Sequence, residues 1–274
     1  MENRNRTFSL SILSGKGGVG KTNIALNLAL ALHELAQDTL LVDCDLGLAN
    51  LDVMLGIAPE GSLHDILNTN ARAEDILFNL GKRGLDLIPA ASGVTDILDL
   101  DEDQQDIVSR KLGSILKKYN FLILDIGAGI SRTVQAFACM THYRVVVISP
   151  EPTSLTDGYA LIKVLSTRKN ISSFHILVNM VTSEQEARLG FERIRAVCEK
   201  FLDIKVNYLG CVHQDQVVPE SVRNQKPFFQ TDRKSAAARD ISEVARRLTE
   251  LREVSLDKIA KSAPLRIQQG SDAG

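Results

Sequence analysis

The sequence predicts an α/β protein, a single doubly wound, mostly parallel sheet with helices on both faces. Three observations lead there. Nearly continuous apolar runs alternate with amphipathic stretches from end to end, as strands buried on both faces and their crossover helices require. The first apolar run opens into a glycine-rich loop and then into a helical pattern. The length of 274 residues, with 44% hydrophobic and 24% charged side chains, suits a globular domain of ordinary composition.

Residues 8–13 form the first apolar run, and the glycine-rich loop follows. Residues 22–36 are then a helix, with Ile24, Leu28, Ala31, Leu32 and Leu35 on one face at helical spacing. Residues 39–42 are a second short strand. Further strands are expected at 85–88, 121–124, 143–148, 174–178 and 208–212. Between them, residues 104–119 carry Ile107, Val108, Leu112, Ile115 and Leu116 at helical spacing. Residues 155–165 and 184–201 are similar, and 235–253 carries Ile241, Val244, Leu248 and Leu251. No repeat, low-complexity tract or linker interrupts the series. One domain is expected over residues 7–253, then a C-terminal segment, 254–274, with a short helix and a disordered tail after Pro264.

Basic and acidic residues nearly cancel, 32 against 34, for a net charge of -2. A protein built to coat nucleic acid would be strongly basic, so strong nucleic-acid binding is not expected. Cys44, Cys139, Cys198 and Cys211 contain no CxxC pair, which argues against a zinc ribbon or a dithiol redox motif. No stretch reaches the roughly 18 apolar residues of a membrane span, and the first residues lack the apolar core of a secretory signal.

The loop Gly15-Lys16-Gly17-Gly18-Val19-Gly20-Lys21-Thr22 matches G-x-x-x-x-G-K-[ST] between a strand and a helix. Glycines let the backbone curl so that successive N–H groups face phosphate oxygens, and the helix start adds its dipole. Lys21 supplies a charge to the outer phosphates and Thr22 a hydroxyl ligand for Mg²⁺. Lys16 is a second lysine inside the loop, too near the phosphates to be an ordinary surface charge.

Acidic residues stand at strand ends, where open α/β sheets bind ligands. Asp43 and Asp45 follow the second strand, and Asp125 closes the run 121–124. Beside a phosphate loop they suit Mg²⁺ coordination and water activation, and some must act through water, because Mg²⁺ keeps several of its own. Asp125, with glycines after it, reads as a Walker B segment. Asn179 also ends a strand, where its amide could pair with one edge of adenine. A GTP-selective N-K-x-D motif is missing, which favours ATP.

The form K-G-G-x-G-K-T resembles the deviant Walker A loop of the MinD/ParA superfamily of P-loop ATPases. In that family the extra lysine reaches the partner subunit's nucleotide, so the resemblance implies an ATP-dependent homodimer in which Lys16 acts across the interface. It also implies a water-positioning role for Asp45, a water-mediated Mg²⁺ contact for Asp43 and a base contact for Asn179. Four segments are similar to the flagellar branch, FlhG: 45–52, 125–131, Glu151-Pro152-Thr153-Ser154-Leu155-Thr156-Asp157 and 179–181. The likeness spans residues 8–248. It implies a slow, switch-type ATPase that controls flagellar number or placement, with the GTPase FlhF, a transcription activator or basal-body proteins as partners.

Two features depart from the family. The D-Q-A-x-x-L-R motif that stimulates FlhF is missing before the first strand, which puts that route in doubt. At the C-terminus, Leu256, Ile259, Ala260 and Ala263 could share a face beside Lys258 and Lys261, but the face is small and Pro264 breaks it. A membrane-surface helix needs bulkier apolar residues, so peripheral membrane association is a weak expectation for an otherwise cytoplasmic protein. The competing functions are division-site selection of the MinD type, ParA-type partition and an iron–sulfur carrier. The missing CxxC opposes the last.

Overall fold

The structure, a computed structural model, describes residues 6–46, 50–90 and 101–266. Chain order is β1 (Phe8–Leu13), α1 (Lys21–Glu34), β2 (Thr39–Cys44), α2 (Leu51–Leu55), α3 (Leu63–Asn68), β3 (Phe78–Lys82), β4 (Leu85–Ile88), α4 (Glu102–Ile115), β5 (Phe121–Ile126) and α5 (Arg132–Met140). It continues with β6 (Tyr143–Ile148), α6 (Pro152–Lys169), β7 (Phe174–Val181), α7 (Glu184–Leu202), β8 (Val206–His213), α8 (Val217–Arg223), α9 (Phe228–Thr231) and α10 (Ala236–Ala260).

The sheet runs β3-β4-β2-β5-β1-β6-β7-β8. Among the described residues only the β3–β4 pair is antiparallel. The doubly wound architecture is therefore as the sequence indicates. Alternate side chains of each strand feed two cores: Leu122, Leu124 and Ile126 of β5 pack under α4 to α7, while Phe121 and Ile123 pack under α1 and α10.

After β1 the chain moves to β2 on one side, and from β5 it crosses β1 to reach β6 on the other. The loop after β1 therefore lies at the topological switch point, where the crossover connections diverge and leave a crevice. Parallel pairing brings the ends of β2 and β5 level, with Asp43 opposite Asp125. Two carboxylates on adjacent strands about 4.8 Å apart are thereby set beside the loop.

The structure adds elements that the periodicity does not reveal. β3 is a half-exposed edge strand, turned back onto β4 through Gly84 at φ 84°, so it carries no buried apolar run. α5 is nine residues long, too short for a periodic signal, and starts where the Ser131 hydroxyl accepts the Val134 N–H at 3.3 Å. α10 extends beyond 253 to Ala260, because Ile259 is buried and Leu256 packs on the same core. That packing uses part of the face that suggested a membrane surface. Leu265 is buried as well, and the Arg266 N–H donates to the Met140 carbonyl at 2.8 Å. Most of the tail after Pro264 and Gly47, Leu48 and Ala49 of the segment after β2 lie outside the described residues. Among the described residues no helix is long and apolar enough to cross a membrane.

Candidate functional site

The loop of residues 14–20 turns from β1 into α1 at the switch point. Its path is set by two close approaches. A Cβ at Gly15 would stand 2.0 Å from the Asp157 carbonyl oxygen of α6, so only glycine lets the loop lie against that helix. Gly20 has φ +82°, and a Cβ there would meet the Asn179 amide at 2.4 Å. The Asn179 side chain donates to the Val19 carbonyl at 2.8 Å, tying the end of β7 to the loop. The amide expected at the base is thus partly engaged in shaping the phosphate cradle. Gly17 and Gly18 stand clear of neighbours on the outer rim.

Lys21 opens α1 and is buried at 7% exposure, with Asp125 at 1%. Its Nζ lies 2.5 Å from Asp125 Oδ1 and 3.4 Å from Thr22 Oγ1. A buried charge needs a partner, and here the loop lysine and the strand-end acid serve each other. Asp125 Oδ2 is buried with no hydrogen-bond partner among the described residues, and so is the Ser14 hydroxyl at the start of the loop. Burial raises the Asp125 pKa, opposed by the Lys21 charge and by hydrogen bonds from Lys21 and Thr22.

Asp43 accepts the backbone N–H of Asp45 at 3.0 Å, and those of Asn50 and Leu51 at 3.4 Å. Burial, and then the charge of Asp125, push its pKa up to about 7. Asp45 stands beside Gly127, whose absent Cβ would be 3.3 Å from Asp45 Oδ1. The Gly129 N–H donates to the Ser14 carbonyl at 2.9 Å, which ties the segment after β5 to the phosphate loop.

Two buried acids, a buried lysine, a threonine hydroxyl and an unpaired carboxylate oxygen converge on one end of the sheet. This donor set fits a hard divalent cation together with phosphate oxygens. The structure brings Lys21, Thr22, Asp43 and Asp125 together and sets Asp45 on the rim. Lys16 is separate. Its ammonium, 41% exposed, lies 3.2 Å from Glu151 Oε2 and 3.1 Å from Thr153 Oγ1, at the start of α6. Neither contact was read from the sequence, although Glu151-Pro152-Thr153 stands out there as a motif.

From Gly20 a cleft of about 1490 Å³ continues to the ends of β7 and β8, lined in part by Asn23, Pro150, Met180, His213 and Gln214. Sequence reasoning passed over His213, because a lone histidine at a strand end follows no spacing rule.

A family model described as an AAA domain, AAA_31, matches residues 8–176. The chain is 36% identical over 239 residues to the antiactivator FleN of Pseudomonas aeruginosa, covering 87% of this chain and 85% of that protein. It is 33% identical over 228 residues to the flagellum site-determining protein YlxH of Helicobacter pylori, covering 82% and 76%. Among solved structures it is similar to the septum site-determining protein MinD complexed with Mg-ADP from Pyrococcus horikoshii. That match has 26% identity and a TM-score of 0.76, over 90% of this chain and 98% of that one.

Proposed function

The chain belongs to the MinD/ParA superfamily of P-loop ATPases, in the flagellar branch with FleN and YlxH, and on that premise we propose that it is an ATP-gated switch that sets the number or placement of flagella. The observation that carries the reading is the buried Lys21–Asp125 pair, whose second carboxylate oxygen has no partner among the described residues. A purely structural ion pair would have both oxygens satisfied.

In this reading the amides of Gly15, Lys16, Gly17, Gly18, Val19 and Gly20 cradle the phosphates, and Lys21 turns from Asp125 toward the outer ones. Thr22 and Asp125, with Asp43 through water, would hold Mg²⁺, which would neutralise phosphate charge there. Asp45 orients the attacking water. Lys16 leaves Glu151 and Thr153 for the nucleotide of a second copy, a cation completing the site from outside the subunit. Asn179 supports the base end. The switch is cytoplasmic, and FlhF, a transcription regulator or basal-body proteins are the partners it would dock while dimeric.

Size-exclusion chromatography of Asp45→Ala with ATP and Mg²⁺ tests the dimer, which should accumulate when hydrolysis is blocked. A persistent monomer would defeat the mechanism. Counting flagella in cells that lack the gene tests the output, and an unchanged number and placement would defeat the flagellar reading.

A further inference from the structure

The end of β8 carries a histidine whose hydrogen bonds are arranged more closely than the phosphate chemistry requires. Asp240 of α10 holds His213 twice. One carboxylate oxygen, Oδ2, accepts the backbone N–H of His213 at 2.8 Å and lies 2.8 Å from its ring Nδ1. An ionised carboxylate only accepts hydrogen bonds. Nδ1 therefore carries the hydrogen, and in the neutral ring Nε2 is left as an acceptor. The next turn is pinned to the same helix: Asp215 Oδ1 accepts the Val217 N–H at 3.1 Å, and its Oδ2 accepts the Ala237 N–H at 3.3 Å. The ring is 26% exposed and lines the cleft that begins at Gly20.

The position in the sheet says which part of a nucleotide reaches this ring. The phosphate loop follows β1, and β8 is three strands away, roughly 14 Å at the usual strand spacing. Only the base, the far end of a nucleotide whose phosphates occupy the loop, extends that distance. Met180, 42% exposed at the end of β7, offers an apolar surface for a flat ring. Asn179 has already given one amide hydrogen to Val19, so its capacity to read the base is reduced.

We infer that His213, held in one tautomer by Asp240, selects the base by accepting a hydrogen bond at Nε2 from the amino group of a 6-aminopurine. Adenine presents a donor at that position and a 6-oxopurine an acceptor. Against a fixed acceptor, a 6-oxopurine leaves two lone-pair atoms facing each other with neither satisfied. His213 contacts the base, and Asp240 is a positioning residue. The inference rests on the proposed nucleotide site and names what chooses the nucleotide there.

The test is equilibrium binding of Mg-ADP and Mg-IDP to the full chain by titration calorimetry, with hydrolysis excluded by the choice of diphosphates. The wild type should prefer ADP by about tenfold. His213→Phe keeps a flat ring and removes the acceptor. It should weaken ADP, spare IDP and bring the ratio within about threefold. Asp240→Leu should shift the ratio in the same direction, because the ring hydrogen is then free to occupy either nitrogen. Each ratio compares two ligands on one variant, so it does not depend on the fraction folded. A ratio unchanged by His213→Phe overturns the inference and leaves the ATPase reading standing. Binding of neither nucleotide by the wild type overturns both.

Discussion

The two ends of the sheet hold charge in opposite ways. At the amino ends of the strands every hydrogen bond of the buried cation Arg144 among the described residues goes to a carbonyl. Its Nε donates to Ala138, Nη1 to His142 and Nη2 to Cys139 and Thr141, at 2.6 to 3.4 Å. Two of those carbonyls, of Ala138 and Cys139, belong to the last turn of α5, whose final carbonyls have no partner within the helix itself. Beside it His142 bridges Ser9, at 2.7 Å, and Ser262, at 2.8 Å, while Thr141 bonds Ser11 at 3.1 Å. At the carboxyl ends the same sheet buries Lys21, Asp43 and Asp125 but leaves Asp125 Oδ2 and the Ser14 hydroxyl without partners among the described residues. The cluster around Arg144 and His142 is satisfied and holds the fold, although His33 Nδ1 and Gln37 Oε1, near the start of β2, are also buried without partners among the described residues. The arrangement at the carboxyl ends is incomplete, and a ligand with both negative oxygens and a cation would complete it.

The largest expected effects separate these roles directly. Lys21→Ala should lower ATP hydrolysis by about 10²- to 10³-fold, measured as phosphate release, while the circular-dichroism spectrum stays that of a folded protein. Arg144→Met should do the reverse. Burial lowers the Arg144 pKa only to about 10, so it is charged at neutral pH. Losing it strands buried carbonyls and should cost about 3 kcal/mol, a fall in Tm of roughly 10 °C, with turnover per folded molecule unchanged. Equal effects of both substitutions on both quantities would erase the distinction between the ends.

The carboxyl end was far more legible in the sequence than the amino end, for a physical reason. A phosphate loop must place glycines, a lysine and a hydroxyl within eight consecutive residues, so its chemistry is local and shows as a pattern. Asp43 and Asp125 lie 82 positions apart, yet each ends an apolar run, and parallel pairing sets such ends level. Arg144 and His142 satisfy carbonyls and hydroxyls contributed by α5, β1 and the turn after α10. The Arg144 partners lie only two to six positions back along the chain, yet no motif announces them, and those of His142 exist only after β1 and the turn after α10 have packed. The same holds for Glu151 with Lys16 and Asp240 with His213, each joined by tertiary approach rather than by motif. The short helix expected after residue 253 is a continuation of α10, held by Ile259 and Leu256 against a core that lies far off in the sequence.

Titration offers a finer contrast. Burial lowers the His142 pKa to about 3, and that of His175, at the amino end of β7, to about 4. An unfolded histidine takes up its proton near pH 6.5. Between there and the folded values the unfolded chain binds more protons, so stability is full above about pH 6.5 and declines as the pH falls toward 3. At pH 5 His142 should account for about 2 kcal/mol of that loss. His142→Gln should flatten the acid limb of a Tm-against-pH curve, and an unaltered limb would mean that its network does not govern acid stability.

The smallest effect comes from Asp43 and has the opposite sign. Its folded pKa is raised from 3.8 to about 7 by burial and the Asp125 charge. Between those values the folded chain keeps a proton that the unfolded chain has released, so without ligand stability falls as the pH rises from about 4 to 7. The full shift corresponds to about 4 kcal/mol. Asp43→Asn removes that penalty but cannot accept all three N–H groups of Asp45, Asn50 and Leu51, which costs about 1 kcal/mol for each bond lost. A net gain of about 1–2 kcal/mol should remain at pH 8, seen as a Tm a few degrees higher without nucleotide. With Mg-ATP the order should invert, because the wild type gains more from ligand than a variant lacking the carboxylate. A Tm for Asp43→Asn that is lower at pH 8 without nucleotide would show that Asp43 stabilises the fold as Arg144 does, and the two ends would then differ in geometry but not in purpose.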